Sequence, residues 1–178
     1  MLNTDSKKDS MVAAVNLPPT ANRSAAAFES EALPLLNDLY RTALHMLRQS
    51  ARASDAVQET YLRAWKAFGK YQGGTNCKAW LFQILINVVR HERRSGFKWD
   101  SWRVEDLSQD HLVSAMSLVP VDFMDVLLLV DGQGFSYRET AEILGLSTDV
   151  VAHRVVLGRN HLHSELEACY STPVSVAQ

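Results

Sequence analysis

At 178 residues, 47% of them hydrophobic, and with a formal net charge of −2, the chain has the size and composition of one ordinary globular domain or two small ones. This excludes collagen-like, disordered and disulfide-scaffold classes. Cys77 and Cys169 lie far apart and in no C-x-x-C arrangement, so neither a disulfide framework nor a zinc site is expected. The longest apolar runs, 126–130 and 80–86 with Gln83 inside it, fall far short of the ~20 residues a bilayer span needs. With no basic-then-apolar signal pattern at the N-terminus, the expectation is a cytoplasmic protein without membrane insertion.

The small net charge conceals an asymmetry. Segment 66–103 holds eight basic residues against two carboxylates, a balance of +6, whereas 104–149 holds nine carboxylates against Arg138, a balance of −8. A basic middle followed by an acidic segment points to a polyanion-binding half whose field the other half tempers.

In chain order, residues 1–25 mix Ser, Asn, Pro and Lys without a sustained period, and Pro18-Pro19 argues against a helix, so a flexible leader is expected there. From Ala26, Leu33, Leu36, Tyr40, Leu44 and Leu47 recur at three- and four-residue steps and predict a helix, with Pro34 near a first turn. A second helix runs to about Phe68. Wound at about 100° per residue, it places Val57, Tyr61, Ala64 and Phe68 on a core stripe with Trp65 at its edge. Asp55, Gln58, Glu59, Arg63 and Lys66 take the other side, and Leu62 sits among them. A leucine ringed by polar groups suits a small protein-docking contact with a polar rim. Single exposed leucines are also common, and the pattern by itself leaves both readings open.

Gly73-Gly74-Thr75-Asn76 breaks the chain, and a third helix is predicted over about 79–94. Leu81, Ile84, Leu85 and Val88 form its inward stripe, and Trp80, Gln83, Asn87, Arg90 and Arg94 the opposite arc. Arginines neutralise phosphates, amides bond base edges and an aromatic stacks on an unpaired base, the combination used to bind single strands. A solvated charged face is the alternative.

Residues 96–115 contain Gly96, Trp99 and Trp102 without a clean period and are expected to be an interdomain linker. After Pro120 come a helix over about 122–130, a turn at 131–134, and Ser136-Tyr137-Arg138-Glu139, a capping box opening a helix that Gly145 ends. Ser147 or Thr148 caps a last helix to about Ala168, and 171–178 form a frayed tail. With no sheet pattern and no internal repeat, the fold class is all-α, with two small helical domains at 26–95 and 116–170.

The C-terminal pair of helices has helix-turn-helix spacing, with Ala141 small enough for a close crossing. The last helix turns Val151, Val155, Gly158 and Leu162 inward and Asp149, Val150, His153, Arg154, Val156, Leu157, Asn160 and His161 outward. Arg154 is the one permanent cation on that arc, with Arg159 on a flank, so the helix is poorly basic for a DNA reader. His153, His161 and His163 are spaced by eight and two, which puts no pair on one face, and no metal is expected. Cys77 has no identifiable histidine partner and the carboxylates lie on helix surfaces, so the chain is not read as an enzyme and no cofactor is implied.

These segments together resemble a bacterial RNA polymerase sigma factor of the extracytoplasmic-function type, group 4 of the sigma-70 family. D-A-V-Q-E-T-Y-L-R-A-W from Asp55 to Trp65 resembles that family's polymerase-binding helix. N-C-K-A-W-L-F-Q-I from Asn76 to Ile84, with Asn87, is similar to its promoter-melting segment. V-L-L-L from Val126 and G-F-S-Y-R-E-T-A-E-I-L-G from Gly134 to Gly145 are similar to its second DNA-binding domain.

The resemblance implies a region-2-like domain at 26–95 and a region-4-like domain at 116–170. It implies docking on the β′ clamp helices of core RNA polymerase through Asp55, Gln58, Glu59, Leu62, Arg63 and Lys66. Asn76, Lys78, Trp80, Gln83, Asn87, Arg90 and Arg94 would face the melted minus-ten strand of promoter DNA. Ser136, Arg138, Thr148, His153, Arg154, Leu157 and Arg159 would face the minus-thirty-five element, in a domain that also meets the polymerase β flap. An anti-sigma factor is the implied regulatory partner, and no catalytic residue is required. The last helix departs from the family pattern, with Asp149, His153, Val156, Leu157 and Asn160 where basic and small residues are usual. This predicts weak or unusual duplex binding there, with Val150, Val156 and Leu157 available to a protein. Two further classes fit the same residues: a sigma-like interaction module that does not initiate, and an ordinary helix-turn-helix regulator.

Overall fold

In the computed structural model the described residues are 19–71, 76–94 and 111–171, with side chains over 25–71, 76–94 and 115–168. Among them are eight α-helices and no strand. α1, Pro19–Ala32, begins earlier than the expected leader allows, because Pro19 takes the first helical position, where its fixed φ and missing N–H cost nothing. The leader expectation is therefore corrected from Pro19 onward, and its residues 1–18 lie outside the described ones.

Pro34 falls in a 3₁₀ turn, Leu33–Leu35, which splits the single expected helix into α1 and α2, Leu36–Leu47. The split rotates the inward face. Leu33 and Leu36, members of the apolar period that predicts the helix, are 50% and 45% exposed, while Leu39, Thr42, Ala43, Met46 and Leu47 are buried. α3, Ser50–Ala67, turns Ala53, Ala56, Val57, Thr60 and Ala64 inward and ends in a 3₁₀ turn, Phe68–Lys70. Small residues on that face let α2 and α4 approach closely on either side. Phe28 of α1 sits edge-on to Trp65 and Phe68 at 5.3 and 5.1 Å between centroids, and the Tyr61 hydroxyl donates to the Ala32 carbonyl at 2.7 Å. Burial pushes the Tyr61 hydroxyl up to about 12, which keeps it a neutral donor.

α4, Cys77–Arg94, buries two rows of side chains where one stripe was expected. Leu81, Leu85 and Val88 are the anticipated row; Phe82, Ile86 and Val89 form a second. Phe82 meets Phe135 of the C-terminal half edge-on at 5.1 Å, which accounts for the second row's burial. The hydrophobic core thus runs continuously from one half into the other.

α5, His111–Leu118, occupies the end of the expected linker, whose Trp99 and Trp102 lie outside the described residues. α6, Val121–Leu127, widens into a π turn at Leu128–Gly132 before α7, Tyr137–Leu144, and α8, Thr148–Ser171. The capping box forms as read: the Glu139 N–H donates to Ser136 Oγ at 3.2 Å and the Ser136 N–H to Glu139 Oε2 at 2.9 Å. Gly145 ends α7 at φ 65°, where glycine carries no Cβ penalty. Val151 and Val155 of α8 are fully buried, and a Cβ at Gly158 would lie 3.1 Å from Leu127 and Phe123, so glycine permits the close α6–α8 crossing.

Candidate functional site

On α3 the outward face is as expected. Asp55, Gln58, Arg63 and Lys66 are exposed and Glu59 half-exposed, with Leu62 among them at 55% exposure. Arg63 Nε donates to Glu59 Oε1 at 2.7 Å, a surface i,i+4 pair that contributes about 0.3–0.5 kcal/mol. Trp65, expected at the edge of the core, is 47% exposed. Its ring touches Phe28 and its remaining surface lies one helical step from Leu62, so the apolar contact is a leucine–tryptophan pair. The i,i+3 spacing was the signal available in the sequence.

α4 carries the second candidate surface. The Asn76 side-chain oxygen accepts from the Ala79 N–H at 3.1 Å and so caps the helix start. Trp80 stacks on Tyr71 at 4.7 Å, and Tyr71 on Phe68 at 5.7 Å, a ladder that fixes the indole beside the helix. Phe68 and Tyr71 are the supporting residues that a one-helix reading missed. Gln83, Asn87 and Arg94 are exposed. The remaining three positions are engaged by the C-terminal half. Asn76 Nδ2 donates to Glu139 Oε1 at 2.6 Å, Lys78 Nζ to the Gln133 carbonyl at 3.0 Å, and Arg90 to the Leu144 carbonyl at 2.7 Å. Lys78 also lies 3.5 Å from Asp38 and over the rings of Phe82 and Phe135.

An open groove of about 490 Å³ separates α4 from α7, with Trp80 and Gln83 on one wall and Arg138, Glu139, Glu142 and Ile143 on the other. The Ser136 N–H, then the Ser136 hydroxyl and Asn76, hold the Glu139 carboxyl below its ordinary range. Burial is the main cause raising the Cys77 thiol at the start of α4, followed by Glu31, so it is no activated nucleophile.

On the C-terminal half, Ser136 is the α7 cap, Arg138 projects into solvent beside Glu142, and Thr148 and His153 are exposed while Leu157 is partly buried. Arg154 lies 3.5 Å from Asp122, and Arg159 grips Asp131 through two bonds of 3.1 and 2.6 Å. Val150 and Val156 stand out from α8 at 38% and 57% exposure. Among the described residues no group of three metal-ligating side chains converges, and no helix is long and apolar enough to cross a membrane.

This pair of helical halves, with an apolar-centred face on α3, a basic aromatic face on α4 and a capped helix-turn-helix, is matched by known proteins. The family model for sigma-70 region 2 matches residues 33–98. The chain is 30% identical over 154 residues to the ECF RNA polymerase sigma factor EcfG of Rhodopseudomonas palustris, covering 79% of this chain and 85% of that protein. It is 26% identical over 152 residues to SigX of Bacillus subtilis, covering 73% and 78%. Among solved structures it resembles the sigma factor RpoE of Bartonella quintana in complex with the anti-sigma factor NepR, with a TM-score of 0.68, 26% identity and coverage of 79% and 97%. CnrH in complex with the cytosolic domain of CnrY gives a TM-score of 0.67 at 26% identity, covering 83% and 95%. The chain belongs to the ECF RNA polymerase sigma factor family.

Proposed function

We propose that this sigma factor docks on core polymerase through α3, opens the minus-ten element with α4 and holds the minus-thirty-five element with the α7–α8 unit. The observation that carries the reading is Leu62, a large apolar side chain 55% exposed on the centre line of a polar helix face, with Trp65 beside it. A leucine–tryptophan pair rimmed by Asp55, Gln58, Glu59, Arg63 and Lys66 has the composition of an interface hot spot. The partner would be the β′ clamp helices.

For the strand, Trp80 supplies a stacking platform, Gln83 and Asn87 amide donors and acceptors, and Lys78, Arg90 and Arg94 phosphate neutralisation. Unstacking a base costs a few kcal/mol, which these contacts offset. The polymerase makes the bonds, so the chain needs no nucleophile of its own. On α8, Thr148, His153, Arg154, Leu157 and Arg159, with Ser136 and Arg138 of the preceding helix, would face duplex. The ion pairs holding Arg154 and Arg159 lie at the surface, where solvent screening leaves them weak enough to yield to phosphates. An anti-sigma factor is a proposed partner, because a relative at 26% identity was solved in complex with the anti-sigma factor NepR.

A second reading, a sigma-like module that binds polymerase or an anti-sigma factor without initiating, is favoured by one observation: both arginines of α8 are already paired with carboxylates of the same half. Binding of Leu62→Glu to core polymerase tests the docking assignment. Loss of binding with an unchanged helical spectrum supports it, and retained affinity refutes it.

A further inference from the structure

The region-2 match begins at residue 33, yet the Trp65 side chain is held from a helix that precedes it. α1 and α3 touch at two points spaced one helical turn apart on each. Phe28 meets the Trp65 indole edge-on at 5.3 Å, and the Ala32 carbonyl accepts from the Tyr61 hydroxyl at 2.7 Å. Residues 28 and 32 thus pair with 65 and 61, an antiparallel register that lays α1 along the edge of the docking face. The Phe28 ring is also clamped edge-on by Tyr61 at 6.2 Å and Phe68 at 5.1 Å and is only 7% exposed, and Ala32 is fully buried. Phe28 is too deep to lie on the docking face itself, whereas the Trp65 ring that it touches is 47% exposed.

An indole at the border of a core gains by burying more of itself wherever a void lets it turn inward. Phe28 fills that space. With the ring in place the indole stays beside Leu62, and its orientation is settled before a partner arrives, which lowers the ordering cost of binding. Without the ring, Trp65 can fold into the vacancy and leave Leu62 as an isolated apolar contact. We propose that Phe28 is a positioning residue for polymerase docking, one that acts through Trp65 and brings α1 into the docking machinery without touching the polymerase. Tyr61 serves the same end from the other side, because its bond to Ala32 fixes α1 one turn beyond Phe28.

The inference rests on the assignment of the Leu62–Trp65 face to core polymerase, and the test separates the two. Affinity for core polymerase is measured for full-length wild type, Phe28→Ala, Trp65→Ala and the double variant, with the helical spectrum of each as a control. Phe28→Ala should weaken binding roughly tenfold, and the double variant should bind no more weakly than Trp65→Ala, since residues that act through one contact are not additive. Phe28→Leu, which refills the space, should recover most of the affinity. A role confined to folding would instead add the same loss with and without Trp65, and that additivity would overturn the proposal. So would unchanged affinity in a folded Phe28→Ala, or in Trp65→Ala while Leu62→Glu loses binding. Wild-type affinity in both Leu62→Glu and Trp65→Ala would overturn the docking assignment and the proposal with it. Should Phe28→Ala lose helicity, the same cycle run with Tyr61→Phe decides. Weaker binding only while Trp65 is present supports the positioning role, and an equal loss in both backgrounds, or none, overturns it.

Discussion

In the proposed reading Leu62, 55% exposed, meets a protein, and Trp80, partly buried and stacked on Tyr71, offers its open face to a base. Leu62→Glu should lower core-polymerase affinity by about two orders of magnitude, the scale of a hot-spot loss, while stability stays within about 0.5 kcal/mol. A pull-down against core polymerase with a parallel urea melt reads both. Trp80→Ala should bind core normally yet slow promoter opening, followed by permanganate reactivity of unpaired thymines. Leu62 was legible because helical winding alone puts it among charges. Trp65 stands at the edge of the core as read, and the tertiary position of Phe28 decides how much of the indole stays outside.

At the scale of elements, local signals read well and non-local ones did not. The Ser136–Glu139 box and Gly145 needed nothing beyond their own turn, and both formed. Ser136→Ala should cost about 1 kcal/mol by denaturant midpoint. The Pro34 break and the second buried row of α4 depend on what packs against them, and one helix's periodicity carries no such information. Gly158→Val should destabilise by about 1–3 kcal/mol, because Leu127 and Phe123 already stand 3.1 Å from where a Cβ would be. Acid acts on elements too. Burial, then Arg48 and Arg41, hold His45 below its ordinary 6.5, so the folded chain resists a proton that the unfolded chain accepts, and stability falls as pH drops below 6.5. Glu139, depressed from 4.5, contributes above that value and is lost below it. Urea midpoints should therefore decline from neutral pH to pH 5, and His45→Gln should flatten that slope.

For the whole molecule, the charge asymmetry seen in the sequence acquires a physical meaning: the acidic half sits on the basic one. Fold class and family were legible from three motifs in order, whereas the contact between halves was not, because Asn76–Glu139, Arg90–Leu144 and Arg93–Asp125 join residues 32 to 63 positions apart. In the proposed function this chain gives core polymerase a promoter it would not otherwise use. The most direct measurement is transcription in vitro by core polymerase, with and without the protein, on sheared DNA from the host genome, with transcript ends mapped. Discrete new start sites should appear only with the protein and vanish with Leu62→Glu. Binding to core without any new start site would contradict it and leave the non-initiating module as the function.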